Sequence, residues 1–228
     1  MGRLIWTAVK LALGLAVLLV LLPLLLAPLY NVVQPVSTLM LGRTLTGQRV
    51  ERTWVPLEAV APALVRSVLA AEDARFCRHS GVDMVELSNA IDESDGLEGA
   101  RGASTITMQL AKNLFLWGDR SFVRKGLEFP LALYIDFVLP KRRQIEIYLN
   151  IAEWGPDGEF GIEAGARRAF RKSAAELSGR EAALLAVMLP NPYRRDAGKP
   201  GRGLVSLAGR LQARLPKEGA ELTACLEK

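Results

Sequence analysis

GLEGARGASTITMQLAKNLFLWG (residues 96–118) changes character partway along. Glycines at 96, 99 and 102 make its first part a loop. From about Ser104 the apolar residues settle into helical spacing, with Ile106, Leu110 and Leu114 on one face and Thr105, Gln109 and Lys112 on another. A Ser or Thr at the start of such a run is first of all an N-cap. A glycine-rich loop, a helix N-terminus and a lysine on the polar face also make a place to receive an anion. The same spacing, broken by Gly or Pro, continues through most of the chain beyond residue 55, so the expected fold class is mainly α with little sheet.

Working outward, Pro56 to about Arg75 reads as one helix with Glu72 near its C-terminal end, where the helix dipole disfavours an acid. A bond from Glu72 to Arg75 is the bland account of that placement. DRSFVRKGLEFPLALYIDFVLP (119–140) reads as a helix from Ser121 with a break or bend near Pro130, and Pro140 opens KRRQIEIYLNIAEWG as a first-turn proline. Ser178 and Glu181 have capping-box spacing ahead of the core helix AALLAVML. The last thirty residues are basic, then polar, and read as peripheral.

Residues 11–42 contain no charged side chain, and LALGLAVLLVLLPLLLAPL (11–29) is long enough to cross a bilayer, which takes about 20 apolar residues. It exceeds the roughly 7–15 residues of a signal-peptide core and lacks a small-residue cleavage site. Arg3 and Lys10 before it put the N-terminus in the cytoplasm and the rest of the chain outside. The expected layout is a cytoplasmic N-terminus (1–10), a transmembrane anchor (11–29), a linker (30–54), one catalytic domain (55–200) and a segment packed on it (201–228).

The net charge of +5 and pI of about 9.4 permit a polyphosphate partner. With a membrane span in the chain, anionic lipid head groups or a lipid-linked phosphate fit that charge better than nucleic acid. One histidine and two distant cysteines make no structural zinc site. GARGAST lacks the lysine of a nucleotide P-loop, and with neither Ser-x-x-Lys nor Lys-Thr-Gly there is no transpeptidase module. Cys77 and Cys225 are compatible with one bridge in an oxidising compartment or with two free thiols.

Two carboxylates in a basic setting remain, Glu72 and Glu128. Paired carboxylates serve chemistry at an anomeric carbon. A hydrolase needs one of them protonated. A transferase whose leaving group is a pyrophosphate instead wants Lys and Arg around it. Lys112, Arg120, Arg124 and Lys125 lie between the two acids in sequence. The competing account is a solvated helix face carrying an Arg124–Glu128 pair.

Together these stretches resemble the peptidoglycan glycosyltransferases, family 51 of the glycosyltransferases, in their monofunctional membrane-anchored form. EDARFCRHSG (72–81) is similar to the family's Glu-Asp-x-x-Phe-x-x-His-x-Gly, and GASTITMQLAKN (102–113) to Gly-x-Ser-Thr-Ile-x-Gln-Gln-Leu-x-Lys-Asn. RKGLE (124–128) resembles Arg-Lys-x-x-Glu, KRRQIEIYLN (141–150) the motif ending in Tyr-Leu-Asn, and EAALLAVMLPNP (181–192) the segment that closes the domain. Met108 departs from the first glutamine of the second motif, Gln144 from an aliphatic position, and Ala169 from an aromatic one.

The resemblance implies a lysozyme-like glycosyltransferase domain with a membrane-associated jaw, on the outer face of the cytoplasmic membrane. It implies that Glu72 is the general base on the 4-hydroxyl of lipid II and that Glu128 lies by the donor phosphates. Asp73, Ser104, Gln109, Lys112, Asn113, Arg120, Arg124 and Lys125 would bind substrate. It requires no cofactor, leaves room for a divalent Mg or Mn ion at the pyrophosphate, and makes moenomycin an expected inhibitor. Expected partners are lipid II, the growing glycan strand, membrane lipid and wall-synthesis or division proteins, with no nucleic acid. A lysozyme-like hydrolase and a non-catalytic membrane-anchored scaffold are the alternatives.

Overall fold

The computed structural model describes residues 2–92, 104–118 and 121–227. An N-terminal helix α1 (Gly2–Leu29) leads into a short α2 (Thr38–Leu45) and a two-residue strand β1 (Glu51–Arg52). Helices α3 (Pro62–Glu72), α4 (Met84–Asp92), α5 (Ile106–Phe115), α6 (Phe122–Val138) and α7 (Lys141–Ile151) follow. After strand β2 (Glu159–Phe160) come α8 (Ile162–Phe170), α9 (Gly179–Met188) and α10 (Arg202–Glu218). β1 and β2 pair in parallel, with Glu51 opposite Glu159 and Arg52 opposite Phe160.

The boundaries of α3 and α5 differ from those the sequence suggests, and both differences shape the site. Instead of one helix from Pro56, a 3₁₀ turn at Leu57–Ala59 precedes α3. Pro62 holds Ala61 outside the helical region (φ −52°, ψ 125°), so the helix starts only at the proline. α5 is capped by Thr105, whose hydroxyl accepts from the Met108 N–H at 3.1 Å, and not by Ser104. That single-residue shift leaves the Ser104 hydroxyl outside the cap.

α6 begins where the sequence starts it, with Ser121 as an N-cap accepting from the Arg124 N–H at 3.1 Å, but it runs through Pro130 to Val138 without the expected break. The Ser178–Glu181 capping box of α9 forms with both reciprocal bonds.

α3 packs on α9 and α10, and α5 on α2, α6 and α7, so the ends of α3 and α5 meet over one core. Leu64, Leu69, Ile106, Leu110 and Ile145 are fully buried there, each stabilising by about 1.5–3 kcal/mol. Trp154, Tyr148, Phe76 and Phe160 fill the same core. Residues 30–54 fold against the domain, burying Tyr30, Ser37 and Met40.

Gln144 is also fully buried, yet satisfied. Its amide accepts from Thr107 Oγ1 at 2.7 Å and donates to Asp136 Oδ1 at 2.9 Å and to the Leu139 carbonyl at 2.8 Å. With all its bonds made, a buried amide carries little net cost in place of an aliphatic residue.

The C-terminal segment is not peripheral: Leu204, Ala208, Leu211, Leu222 and Leu226 belong to the core. Cys77 and Cys225 form a disulfide, deciding between the two possibilities the sequence leaves open. Among the described residues no helix is long and apolar enough to cross a membrane, and the span expected at 11–29 is not confirmed. Within α1 the side chains at positions 4, 12, 15, 16, 19 and 20 lie outside the description.

Candidate active site

Glu72 is the last residue of α3. The chain leaves the helix at Asp73 (φ −164°, ψ 72°), and the Glu72 carboxylate opens on two clefts of about 370 and 450 Å³. Arg75, the bland partner, is used elsewhere: its Nε donates to Asp83 Oδ2 at 2.7 Å. The hydrogen bond Glu72 does receive comes from a neutral amide, Gln109 Nε2 at 2.9 Å.

Gln109 Oε1 in turn accepts from the buried Tyr148 hydroxyl at 3.0 Å. That bond fixes which end of the amide faces Glu72. Burial pushes the Glu72 carboxyl above the usual range. The Gln109 bond and the nearby Lys112 and Arg195 charges oppose the rise, and Asp73 adds to it.

Asp73, adjacent in sequence, borders the first of these clefts and turns its carboxylate inward onto protein partners. Its carboxylate accepts from the Ile106 N–H at 2.9 Å and from His79 Nε2 at 2.9 and 3.1 Å, which places the ring proton on Nε2. Asp73 thereby ties the first turn of α5, and Gln109 with it, to the end of α3. Gly81 completes the join. Its φ is +82°, and a Cβ there would lie 2.5 Å from the Ala132 carbonyl oxygen, so only glycine lets this loop rest on α6. The Gly81 carbonyl also accepts from Thr105 Oγ1 at 2.6 Å.

Facing Glu72 is a cluster of cations. Glu128 is buried and both its oxygens are taken, one by Arg124 Nη1 and the other by Lys125 Nζ at 2.9 Å. Lys125 also donates to Ser104 Oγ at 2.7 Å, the hydroxyl that the position of the α5 cap leaves available. The Arg124–Glu128 pair anticipated on spacing alone therefore exists. It is buried and part of a network, not a solvated face.

Lys112 projects from α5 and makes no hydrogen bond or ion pair with any described residue. Burial lowers its ammonium below the usual lysine range. Glu128 and Glu72 act to raise it again, while Arg124 and Lys125 reinforce the lowering. Such a group gains from an incoming anion. Asn113 stands beside it at the border of a third cleft, and Arg120 lies outside the described residues.

Met108 points away from the site, into a small buried cluster with Val82 and Ala132, so the departure at that position removes no amide from the cleft. Two residues of the site are missing from the sequence reading. Tyr148 sits in the stretch ending Tyr-Leu-Asn, where a helix-face pattern marks it as core, and Arg195 follows the closing segment by three residues. Nothing in local spacing connects either to Glu72.

A family model described as transglycosylase matches residues 39–207. The chain is 56% identical over 218 residues to the biosynthetic peptidoglycan transglycosylase of Nitrobacter hamburgensis, covering 94% of this chain and 96% of that one. It is 58% identical over 210 residues to the protein of the same description in Nitrobacter winogradskyi (92% of each chain). With that of Agrobacterium fabrum the identity is 54% over 213 residues, covering 92% of this chain and 93% of the other.

Proposed function

The chain belongs to the transglycosylase family and polymerises the glycan strands of peptidoglycan in cell wall synthesis, and from that premise we propose that Glu72 is its general base. The observation that carries the assignment is the pairing of a desolvated carboxylate, held by one neutral donor, with a cation cluster that includes an unpaired, desolvated lysine. Glu72 takes the proton from the 4-hydroxyl of the acceptor, lipid II. The freed oxygen attacks the anomeric carbon of the growing chain, the bond from that carbon to the undecaprenyl pyrophosphate breaks, and a β-1,4 link forms with inversion. Base catalysis of this kind contributes about 10²–10⁴-fold.

Lys112, Arg124 and Lys125, with Ser104 and Arg120, receive the negative charge that leaves with the pyrophosphate. Glu128 holds Arg124 and Lys125 in place. A resident divalent ion does not suit this donor set. Both Glu128 oxygens are already engaged, and among the described residues no group of three or more His, Cys, Asp or Glu side chains could hold a metal. Among the described residues the side-chain cations are the groups placed to take the leaving charge.

The reading extends to the membrane. Although its described residues alone do not make a span, α1 has 28 residues, about 42 Å at 1.5 Å each, against a hydrocarbon core of about 30 Å, and the full sequence carries no charge over residues 11–29. It presents Ile5, Trp6, Leu11, Leu13 and Leu25 outward. It packs on α6, whose Phe122, Val123 and Phe137 are 68%, 70% and 87% exposed. One helix crossing the bilayer, and α6 dipping into its surface as a jaw, would bring the Lys112 cluster to a lipid-linked phosphate on the outer face. An oxidising compartment suits the disulfide.

The raised Glu72 carboxyl would equally suit the protonated acid of a hydrolase, and the cation cluster is what favours transfer. The decisive assay incubates the detergent-solubilised protein with labelled lipid II, with and without moenomycin, beside purified cell wall. Polymer that moenomycin abolishes is expected. Wall digestion without polymer would establish the hydrolase in its place, and unchanged lipid II and wall would leave a scaffold.

A further inference from the structure

Beyond Gln109 the site continues into a third cleft of about 410 Å³, bordered among others by Lys112, Asn113, Glu153, Asn191 and Tyr193. Part of its polar lining is unspent. The side-chain amides of Asn113 and Asn191, like the Lys112 ammonium, bond to no described residue.

Tyr193 is arranged differently. Its ring is 56% exposed, yet its hydroxyl donates to Glu153 Oε2 at 2.6 Å and accepts from Arg43 Nη2 at 3.2 Å. The same Arg43 nitrogen donates to Glu153 Oε1 at 2.6 Å and to the Pro156 carbonyl at 3.2 Å. Arg43 comes from α2, Glu153 from the turn after α7 and Tyr193 from the turn after α9. Three segments distant in sequence converge to hold one exposed ring at a cleft rim. The ring itself is not part of the hydrophobic core.

A flat ring held beside unpaired amides and a carboxylate suits a pyranose, which offers an apolar face of C–H bonds and a rim of hydroxyls. A tyrosine supplies rigid amphipathic contact area at small entropic cost, and amides both donate to and accept from hydroxyls. Gln109 and Lys112, from α5, border this cleft beside the proposed reacting centre, and Tyr193 enters its lining from the turn after α9.

We infer that Tyr193 is a stacking platform for a sugar of the growing strand that lies beyond the reacting unit, with Asn113 and Asn191 bonding its hydroxyls. Arg43 and Glu153 are positioning residues that hold the ring. The inference rests on the strand-polymerase reading and extends it to recognition of the elongating donor.

The test compares two reactions of the full chain: coupling of two lipid-linked disaccharides, and extension of a lipid-linked tetrasaccharide. In Tyr193→Ala the ratio of extension to first coupling falls about tenfold, the scale of one ring contact, through a higher KM for the longer donor. Strands on a gel shorten accordingly. Tyr193→Phe, which keeps the ring but loses its bonds to Glu153 and Arg43, recovers part of the ratio, and Glu153→Gln, which keeps an acceptor for the hydroxyl, stays nearer the parent. Should Tyr193→Ala not fold, Tyr193→Leu keeps the bulk, removes the flat ring and is read the same way. A parallel fall in both reactions, or an unchanged ratio, overturns the platform. Absence of polymer from the parent protein would overturn the polymerase reading itself.

Discussion

The end of α3 and the first two turns of α6 each carry a glutamate withdrawn from water, and the two are treated in opposite ways. Glu72 receives a single hydrogen bond from a neutral amide and is raised by burial. Glu128 is gripped by two cations. A carboxylate held by Arg and Lys cannot turn toward a substrate. One held by an amide keeps its basicity and a free face on the cleft. Identical residue types thus receive different settings from their partners alone, and the proposed roles follow from them: proton acceptor at one end and anchor of the leaving-group cations at the other.

The largest test of that contrast is Glu72→Gln. Polymerisation of lipid II is expected to fall by about 10²–10⁴-fold, with the fold intact. Because the folded carboxyl binds its proton more tightly than the unfolded one, Glu72 adds stability at low pH and loses that contribution as pH rises through its raised folded value. Glu72→Gln should therefore unfold at the same or a higher temperature than the parent at neutral pH. A variant that loses activity by melting would break the comparison.

Next is Lys112→Met, which removes the unpaired cation. The rate is expected to drop by about 10²–10³-fold with stability held, since a desolvated lysine without a partner contributes nothing to folding. Full activity in that variant would shift the leaving-group role to Arg124 and Lys125 alone. Glu128→Gln should act the other way, on stability first. Breaking a buried ion pair costs about 3 kcal/mol or more in denaturant unfolding, almost all of it from Arg124, because Lys125 is 44% exposed and screened.

The smallest expected effect is that of Gln109→Leu. The lost hydrogen bond had been lowering the Glu72 carboxyl, so the acid limb of the kcat/KM profile moves to higher pH. Its scale is that of one neutral bond, about 1 kcal/mol. A shift to lower pH would mean that Gln109 does not stabilise the ionised base.

Helical spacing made most of the fold readable, because burial of one face imposes a period that a single chain displays. The capping box at Ser178 was equally legible, being a pair of local bonds across three residues. The start of α3 was harder to place, because proline at Pro62 outweighed the apolar pattern running back to Pro56. Arg124, Lys125 and Glu128 share a helix face and announced themselves. Asp73 did not: it sits beside Glu72 in sequence, but its inward turn depends on the position of Ile106, thirty-three residues away.

By itself, then, the sequence determined the helices, their apolar faces and the motifs that mark the family, since these rest on interactions within a turn or two of chain. Only the tertiary structure decided that Arg75 pairs with Asp83 and leaves Glu72 to Gln109, that Tyr148 fixes that amide, and that Cys77 joins Cys225. The reason is physical. Desolvation and hydrogen-bond choice depend on which groups from remote segments arrive at the same few ångströms, and no local pattern encodes that competition.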